Sequence, residues 1–589
     1  MSYLPILDIV SKLDAEKIKK IARNLQVGRS FTRKADLIGA ITHLIKTDIQ
    51  AVLKHCSVEE KQVLALAAHK KGRVSAEMFS SRYGYGFPER LSHYSRKNVS
   101  PYQALVFNEG YQTTDLLISD ELVEILKDVF PPPAAEVVKT TDEIPQKHKD
   151  RDIQIHYGES TVFSELKSVL RLVDLGKISV SEKTRKPSGT AVKAITNVLS
   201  VPDFQLEDPT IISDPYYESP GSVRAYAWGI LVQSCGWSRY SKGKLKLSAS
   251  GKKAMNGDFE EFVSGVWSYL DSSKFDELNR VKTIRGQTGK GKRGLTDLDF
   301  RKPNLLAAIH AWPVEEWISF KEVCRFQLAS DNSFTVSENL WHLYFSEKQY
   351  GSLGYDGSEG ELEKVYTRVF LFEYLATLGL IDVAYVYPHY LWPEFNGWWG
   401  SDNHPFCSRY DGLLYVKLNP LGAYCLDVSD SYTPPEIEER KFFRIQSNME
   451  LVVNDSSLTA TELHSLEMFA EQTSDMVWKV SKENILLSIE QGSSIDELLE
   501  FIENHSENQL PNTLQVFLDD MGRKIKSILS VSDAVLVKCN DSVTAAAIAS
   551  DSSLKKICQL AGDNSVVVGK KNEKAFRARL RKKGYILPK

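Results

Sequence analysis

No two of the seven cysteines stand as CxxC. Cys56, Cys235, Cys324, Cys407, Cys425, Cys539 and Cys558 are scattered and odd in number, which argues against a disulfide framework and fits free thiols in a reducing compartment. Long uninterrupted apolar runs are also missing. The most apolar window, residues 369–388, carries Glu373 and Asp382 with Gly379 near its middle. Each acid at mid-bilayer would cost about 2.5 to 3.5 kcal/mol, so the window predicts a buried helix followed by a strand rather than a membrane span. The opening MSYLPILDIVSKLDAEK has acids where a signal peptide needs an unbroken apolar stretch. A cytoplasmic protein with no membrane partner is expected. HExxH, GxSxG and kinase signatures are absent as well, which removes three common enzyme readings.

What is present is globular material. The 589 residues are 42% hydrophobic, 25% charged and 10% aromatic, enough to build about three to five cores and too apolar for wholesale disorder. The net charge of −4 conceals strong local asymmetry.

Residues 4–46 predict two short amphipathic helices. Ile18, Ile21, Ala22 and Leu25 form one apolar face and Leu37, Ile38, Ile41 and Ile45 another, with Gly28 as a stop and Thr32 as an N-cap between them. The segment has nine Lys or Arg against four Asp or Glu. Lys17, Lys19, Lys20, Arg23, Arg29, Arg33 and Lys34 surround the turn. It resembles a SAP-type helix-extended-helix module, which implies DNA binding; a docking helix pair with a solvated basic face is the alternative.

Residues 48–130 predict a helix over 58–69, apolar pieces at 105–107 and 116–118, and a helix over 120–130, an order that fits a winged helix. Pro131-Pro132-Pro133-Ala134-Ala135 and the polar run to Asp152 read as a linker. The theme recurs in 160–255, with helices at 166–175, 190–199 and 223–235, a strand at 178–180 and the hairpin-like Lys244-Leu245-Lys246-Leu247. It recurs again in 303–427, with an aromatic-rich helix over 365–378 and strands at 381–387 and 413–418.

From Phe442 the texture changes. A strand is expected over 444–453, helices over 457–472 and 482–491, the latter capped by Ser481, then a helical face of Ile495, Leu498, Leu499 and Ile502, and a helix over 513–523 opened by Pro511. Strands at 535–537 and 565–568 and a helix to Leu580 follow. This order, centred on GSSIDELLEFIENHSENQLPNTLQVFLDDMGRK, resembles the N-terminal domain of XPB-type helicases and of bacterial helicase-associated proteins. The motor of that family would carry a Walker A loop and a DEAD-like box, and no DExH or DEAD occurs here. Gly286-Gln287-Thr288-Gly289-Lys290-Gly291-Lys292 matches G-x4-G-K, but Arg293 replaces the Ser or Thr that would hold magnesium.

That loop is more interesting as a contact for anions. Residues 280–293 contain Arg280, Lys282, Arg285, Lys290, Lys292 and Arg293 and no acid, on a glycine-rich backbone. Residues 570–589 hold nine Lys or Arg and one acid, Glu573, among them Arg577, Arg579, Arg581 and Lys582, and read as a basic tail. Residues 431–520 reverse the balance with 18 acids and five bases, which repels phosphate and suits a protein partner through Glu497, Glu500 and Glu503.

Two constellations have an enzymatic form. His404-x-x-Cys407, with Asp402, Asp411, His389 or Cys425, lacks the second close pair that a structural zinc needs. Glu439-Arg440-Lys441 downstream of Asp427 and Asp430 has the shape of a nuclease triplet, which arises by chance in a charged chain. The aromatic stretches Trp398-Trp399-Gly400 and Ser408-Arg409-Tyr410-Asp411 could stack on bases or simply pack a loop.

The sequence thus predicts a multi-domain, mostly α protein with small β-sheets (α+β): a SAP-like module (1–47), a winged-helix-like domain (48–130), a linker (131–158), a winged-helix-like domain with a basic loop (159–300), an aromatic-rich one (301–440), and an XPB-type helicase N-terminal-like α/β domain with a basic tail (441–589). No catalytic residue, metal or cofactor is predicted. Nucleic-acid contacts are predicted at Lys19, Lys20, Arg23, Arg29, Arg33, Lys34, Arg285, Lys290, Lys292, Arg293, Arg577, Arg579, Arg581 and Lys582. The expected role is a non-catalytic adaptor on double-stranded DNA, working with a separate helicase, ATPase or nuclease in bacterial anti-phage defence or repair. A site-specific winged-helix regulator and a nuclease with an unrecognised site are the alternatives.

Overall fold

The computed structural model describes residues 4–88, 99–108, 115–204, 219–271, 275–285, 295–330, 332–337, 343–347, 351–353, 360–401, 404–434, 441–454, 458, 460–491, 493–527 and 533–588. It divides into two compact units. One is Met1–Glu438 with Ser457–Phe469 and Glu483–Ser493; the other is Glu439–Ser456 with Ala470–Lys482 and Ser494–Lys589. Helices dominate, and the sheets are small and antiparallel, so the class is a mostly α form of α+β. Among the described residues no helix is long and apolar enough to cross a membrane.

The first unit opens with three helices, Ile6–Ser11, Ala15–Asn24 and Lys34–Thr47, where the periodicity predicts two. The carboxylate of Asp14 accepts the Lys17 N–H at 2.8 Å and starts the second of them. Thr32 does not cap the third, which begins after Arg33 with no side-chain cap. Ile18, Ile21, Leu37, Ile41 and Ile45 are buried in one core with Val63, Leu64 and Leu126. The helix Val58–His69 is fixed by a capping box between Ser57 and Glu60.

One order of elements then occurs three times: helix, short strand, helix, a further helical turn or helix, and a hairpin whose last strand pairs with the first. Val58–His69, Arg73–Val74, Ala76–Tyr83 and Pro101–Ala104 lead to Phe107 and Leu116–Leu117, and Arg73–Val74 pairs with Leu116–Leu117. Gly158–Asp174, Gly189–Thr196 and Arg224–Ser234 lead to the hairpin Ser238–Ser241 and Lys244–Leu247, onto which Ser179 bridges. Leu298–Ile309, Trp317–Ser319, Phe320–Ala329 and Glu361–Val369, continued by a π turn to Leu375, lead to Ile381–Tyr385 and Leu413–Leu418. There Trp317–Ser319 pairs with Leu413–Leu418. In the second and third of these stretches the third helix is enclosed, since no residue of Arg224–Ser234 or of 361–375 is exposed. Gly229 allows this: a Cβ there would stand 2.9 Å from Pro187.

Residues 131–158 do not behave as a free linker. Thr141 bridges Trp317 at one side of a four-stranded sheet, and Gln154–His156 pairs with Ile381–Tyr385 at the other. Just before Thr141, Glu322 accepts the Lys139 N–H at 2.9 Å, and Arg325 donates to the Val137 carbonyl and to Glu136. Partners far along the chain, rather than local apolar content, order this segment.

In the second unit Phe443–Ile445 and Glu450–Val453 form a hairpin in place of the single strand expected over 444–453, and the sheet order continues with Val477–Val480 and Ala470–Ser474. The helix expected to reach Gln472 ends at Glu467. A second sheet, in the order Ala534–Lys538, Ser565–Gly569 and Cys558–Leu560, shares a core with the helices Ser542–Ser550 and Glu573–Lys582.

Candidate nucleic-acid interface

The N-terminal turn is built outward from its core. With Ile18, Ile21 and Ala22 inside, Lys19 and Arg23 face solvent, and Lys20 is half-buried at 3.8 Å from Glu16. Lys17, from the same basic run, is buried. The chain leaves the helix through left-handed Gln26 (φ 56°) and Gly28 (φ 61°). A Cβ on Gly28 would meet the Phe31 ring at 2.9 Å and Leu37 at 3.0 Å, so glycine lets Phe31 fold over the turn. Phe31 remains 45% exposed between the exposed Arg29, Arg33 and Lys34. Arg29 donates to the Gln26 side chain at 3.1 Å and Lys34 to the Ser11 carbonyl at 3.2 Å. Lys19, Arg23, Arg29 and Arg33 form no ion pair among the described residues. Cations around an exposed ring are chemically suited to phosphates and to a stacked base.

In the central basic segment Arg285 is exposed on the strand Ile284–Arg285, which pairs with Tyr344 and Phe345. Lys290, Lys292 and Arg293 lie outside the described residues. The strand that leads into their G-x4-G-K sequence is an antiparallel edge of a three-stranded sheet, unlike the strand–loop–helix setting of a phosphate loop.

The C-terminal cations sit on a helix, not on a tail. Phe576 and Leu580 are buried and hold Glu573–Lys582 against its sheet. Arg577 is committed to Glu573 at 3.0 Å and to the carbonyls of Leu587 (3.1 Å) and Pro588 (2.9 Å), and Arg579 donates to the Ser553 carbonyl. Lys570 and Arg577 hold the Glu573 carboxyl below its ordinary range. Arg581 and Lys582 are exposed.

The acidic helix Ile495–His505 divides likewise. Glu497 closes a capping box with Ser494, its backbone N–H donating to the Ser494 hydroxyl at 3.2 Å and its carboxylate accepting the Ser494 N–H at 3.1 Å. Glu497 therefore serves the helix itself, and the spacing Ser494-x-x-Glu497 is the sequence signal of that role. Glu500 and Glu503 are exposed beside buried Ile502.

Of the two enzyme-like constellations, the one around Cys407 is described, and there a hydrogen-bonded turn is seen. Asp411 accepts the N–H groups of Cys407 (2.8 Å) and Ser408 (3.1 Å) and the Ser408 hydroxyl (2.6 Å), which makes it a turn builder. Burial pushes the Cys407 thiol well up, and no metal-holding group exists among the described residues. Asp402, Glu439 and Arg440 lie outside those residues. Trp399 is 72% exposed, whereas Tyr410 is buried and donates to Glu373.

No local pattern announces the ion pairs inside the first unit. Arg224 and Glu165 are paired and buried, Glu165 also accepting from Trp228 at 3.2 Å and from the Ser200 hydroxyl at 2.9 Å. Asp203 accepts the N–H groups of Val223, Arg224 and Ala225, so the positive end of the helix Arg224–Ser234 is already occupied. Arg280 pairs with buried Glu373, and Lys302 with buried Glu277.

Residues 443–561 match the family described as "helicase conserved C-terminal domain". No curated protein matches the chain. The matched part is a minority of the sequence and makes this region helicase-associated, with a nucleic-acid-related role.

Proposed function

We propose that this protein is a non-catalytic adaptor that holds double-stranded DNA through backbone contacts and works beside a separate helicase, ATPase or nuclease. The observation that carries the reading is the exposed basic turn around Phe31, free of ion pairs at Lys19, Arg23, Arg29 and Arg33 among the described residues. The family match at residues 443–561 supports a helicase-associated setting; bacterial anti-phage defence or repair is the context we propose for it. Glu500 and Glu503 offer a surface for the protein partner.

The three stretches with a common element order are read as winged helices, and the first turn as a SAP-like module. A winged helix that reads sequence inserts its third helix into the major groove. In two of the three stretches that helix has no exposed residue, which favours scaffolding over the rival reading of a site-specific regulator. Selection from a random duplex pool tests this. An adaptor enriches no motif, and its affinity falls linearly in log salt; enrichment of one site by roughly 10³-fold or more would establish the regulator instead. ATP hydrolysis or DNA cleavage with magnesium or manganese by the purified chain would overturn the non-catalytic part.

A further inference from the structure

The hairpin Ser238–Ser241 and Lys244–Leu247 sorts its side chains by the period of two. Leu245 and Leu247 are buried on one face and hold the hairpin on the core of the first unit. Arg239, Lys244 and Lys246 stand on the other face and are exposed, as is Lys242 at the tip. The register sets Arg239 directly across from Lys246 and Ser241 across from Lys244. The tip turns through Lys242 (φ 49°) and Gly243 (φ 83°), both left-handed as a tight two-residue hairpin turn requires. Ser179 bridges Lys244 from the other side of its strand, and the Val180 N–H donates to the Gly243 carbonyl at 2.9 Å. The cations therefore sit on a held sheet rather than on a loose loop.

No acid of the hairpin offsets this charge, since residues 238–248 contain none. Arg239, Lys242, Lys244 and Lys246 make no ion pair among the described residues. Asp174 and Glu182, the acids that flank Ser179 in the sequence, pair with none of them. Arg185, whose guanidinium carbon lies 3.3 Å from the centre of the Tyr240 ring, adds a further cation. Lys253, in the helix that follows, shows what an available acid does: it pairs with Glu261 at 2.7 Å. Like charges set directly opposite across two strands destabilise a hairpin. An exposed face that keeps such a pair, with no acid among its cations, is suited to a polyanion that arrives from outside.

We propose that this face of the hairpin is a second contact with the phosphate backbone of double-stranded DNA, distinct from the turn around Phe31. The occupant follows from charge complementarity and from what else the stretch offers. The helix Arg224–Ser234, the element that a winged helix inserts into the major groove, has no exposed residue, whereas the hairpin presents four exposed cations. Lys and Arg fix a duplex through its phosphates without reading its bases. The inference rests on the DNA reading above and adds to it a site elsewhere in the chain.

The test measures binding of the full chain to a duplex of unrelated sequence as a function of salt. Changing Arg239, Lys244 and Lys246 together to Gln is expected to weaken binding by roughly ten-fold or more at about 100 mM salt, and to reduce the slope of log K against log salt by about 2.7, at about 0.9 for each phosphate no longer neutralised. Lys246→Glu places a carboxylate opposite Arg239 and is expected to raise the melting temperature while lowering duplex affinity, opposite movements that a merely structural role would not produce. An unchanged slope in the triple variant, or affinity lost only together with a fall in melting temperature, overturns the contact. If the slope still falls on changing Lys19, Arg23 and Arg33, the DNA reading stands without the hairpin; a parent chain that binds no duplex overturns both. Poly-glutamate serves as the control for an acidic protein. Parent affinity for it equal to that for DNA, and lost in the same triple variant, assigns the face to a protein and overturns the nucleic-acid contact.

Discussion

The interior of the first unit and its N-terminal turn use the same residue types for opposite ends. Arg224, Arg301 and Lys302 are buried and each faces a carboxylate, Glu165, Asp276 and Glu277 respectively. Lys19, Arg23 and Arg33 are exposed and face none among the described residues. The helix Glu573–Lys582 shows both behaviours, with Arg577 and Arg579 engaged and Arg581 and Lys582 exposed. The number of cations in a sequence therefore overstates how many can meet a ligand, and what corrects it is the location of the acids in the fold.

The sharpest way to break this contrast is to remove one buried partner. Glu165→Leu leaves the Arg224 charge enclosed and should cost about 3–5 kcal/mol of stability, whereas replacing both residues with apolar ones of similar volume should recover most of it. Denaturant unfolding of the single and double variants measures this, and equal stabilities would mean that the pair is not a unit.

The same operation on the turn should leave folding alone. The triple change of Lys19, Arg23 and Arg33 to Ala should keep the melting temperature within experimental scatter, since exposed charges away from special features contribute little. It should reduce the slope of log K against log salt by about 2.7, at about 0.9 for each phosphate no longer neutralised, and weaken duplex binding by about two orders of magnitude at 100 mM salt. An unchanged slope would move the interface elsewhere.

The smallest expected effect is set by pH. His156 is buried against Phe204, and burial followed by the nearby Arg224 charge holds its imidazole well below the ordinary value. The folded state keeps it neutral while the unfolded chain takes up a proton below about pH 6.5, so its contribution is intact above that pH and is lost on acidification. Between pH 6 and 5 stability should fall by up to about 1.4 kcal/mol per unit on this account. His156→Phe should flatten that slope, as read by thermal melts across the range; a slope unaltered by the substitution would assign the acid sensitivity to other groups.

Legibility in the sequence follows the range of the forces. The helices Val58–His69 and Lys482–Gln491 and the strand Leu413–Leu418 coincide with their expected spans because caps and periodicity act within a few residues. The basic turn is legible for the same reason, since its apolar faces and its scarcity of acid are local. The strands Ala470–Ser474 and Val477–Val480 are not, because helix-forming Glu and Met surround them and their pairing is tertiary. Arg280 and Glu373 are 93 residues apart, and nothing near either one names the other. Glu497 is the opposite case: its capping pattern lies within four consecutive residues, and the acidic run around it makes the same carboxylate look like part of a docking surface.

The anchoring of residues 131–158 bears on where this chain can be cut. Pro-rich and polar, the segment looks like the natural place to separate one module from the next, and a fragment starting at residue 159 would be the obvious choice. Such a fragment would strip Gln154–His156 from Ile381–Tyr385 and leave that strand's peptide groups unpaired along a flank where every side chain is buried. An open flank of that kind recruits strands from neighbouring molecules. A fragment that begins after this stretch should therefore associate with itself more readily than the full chain does.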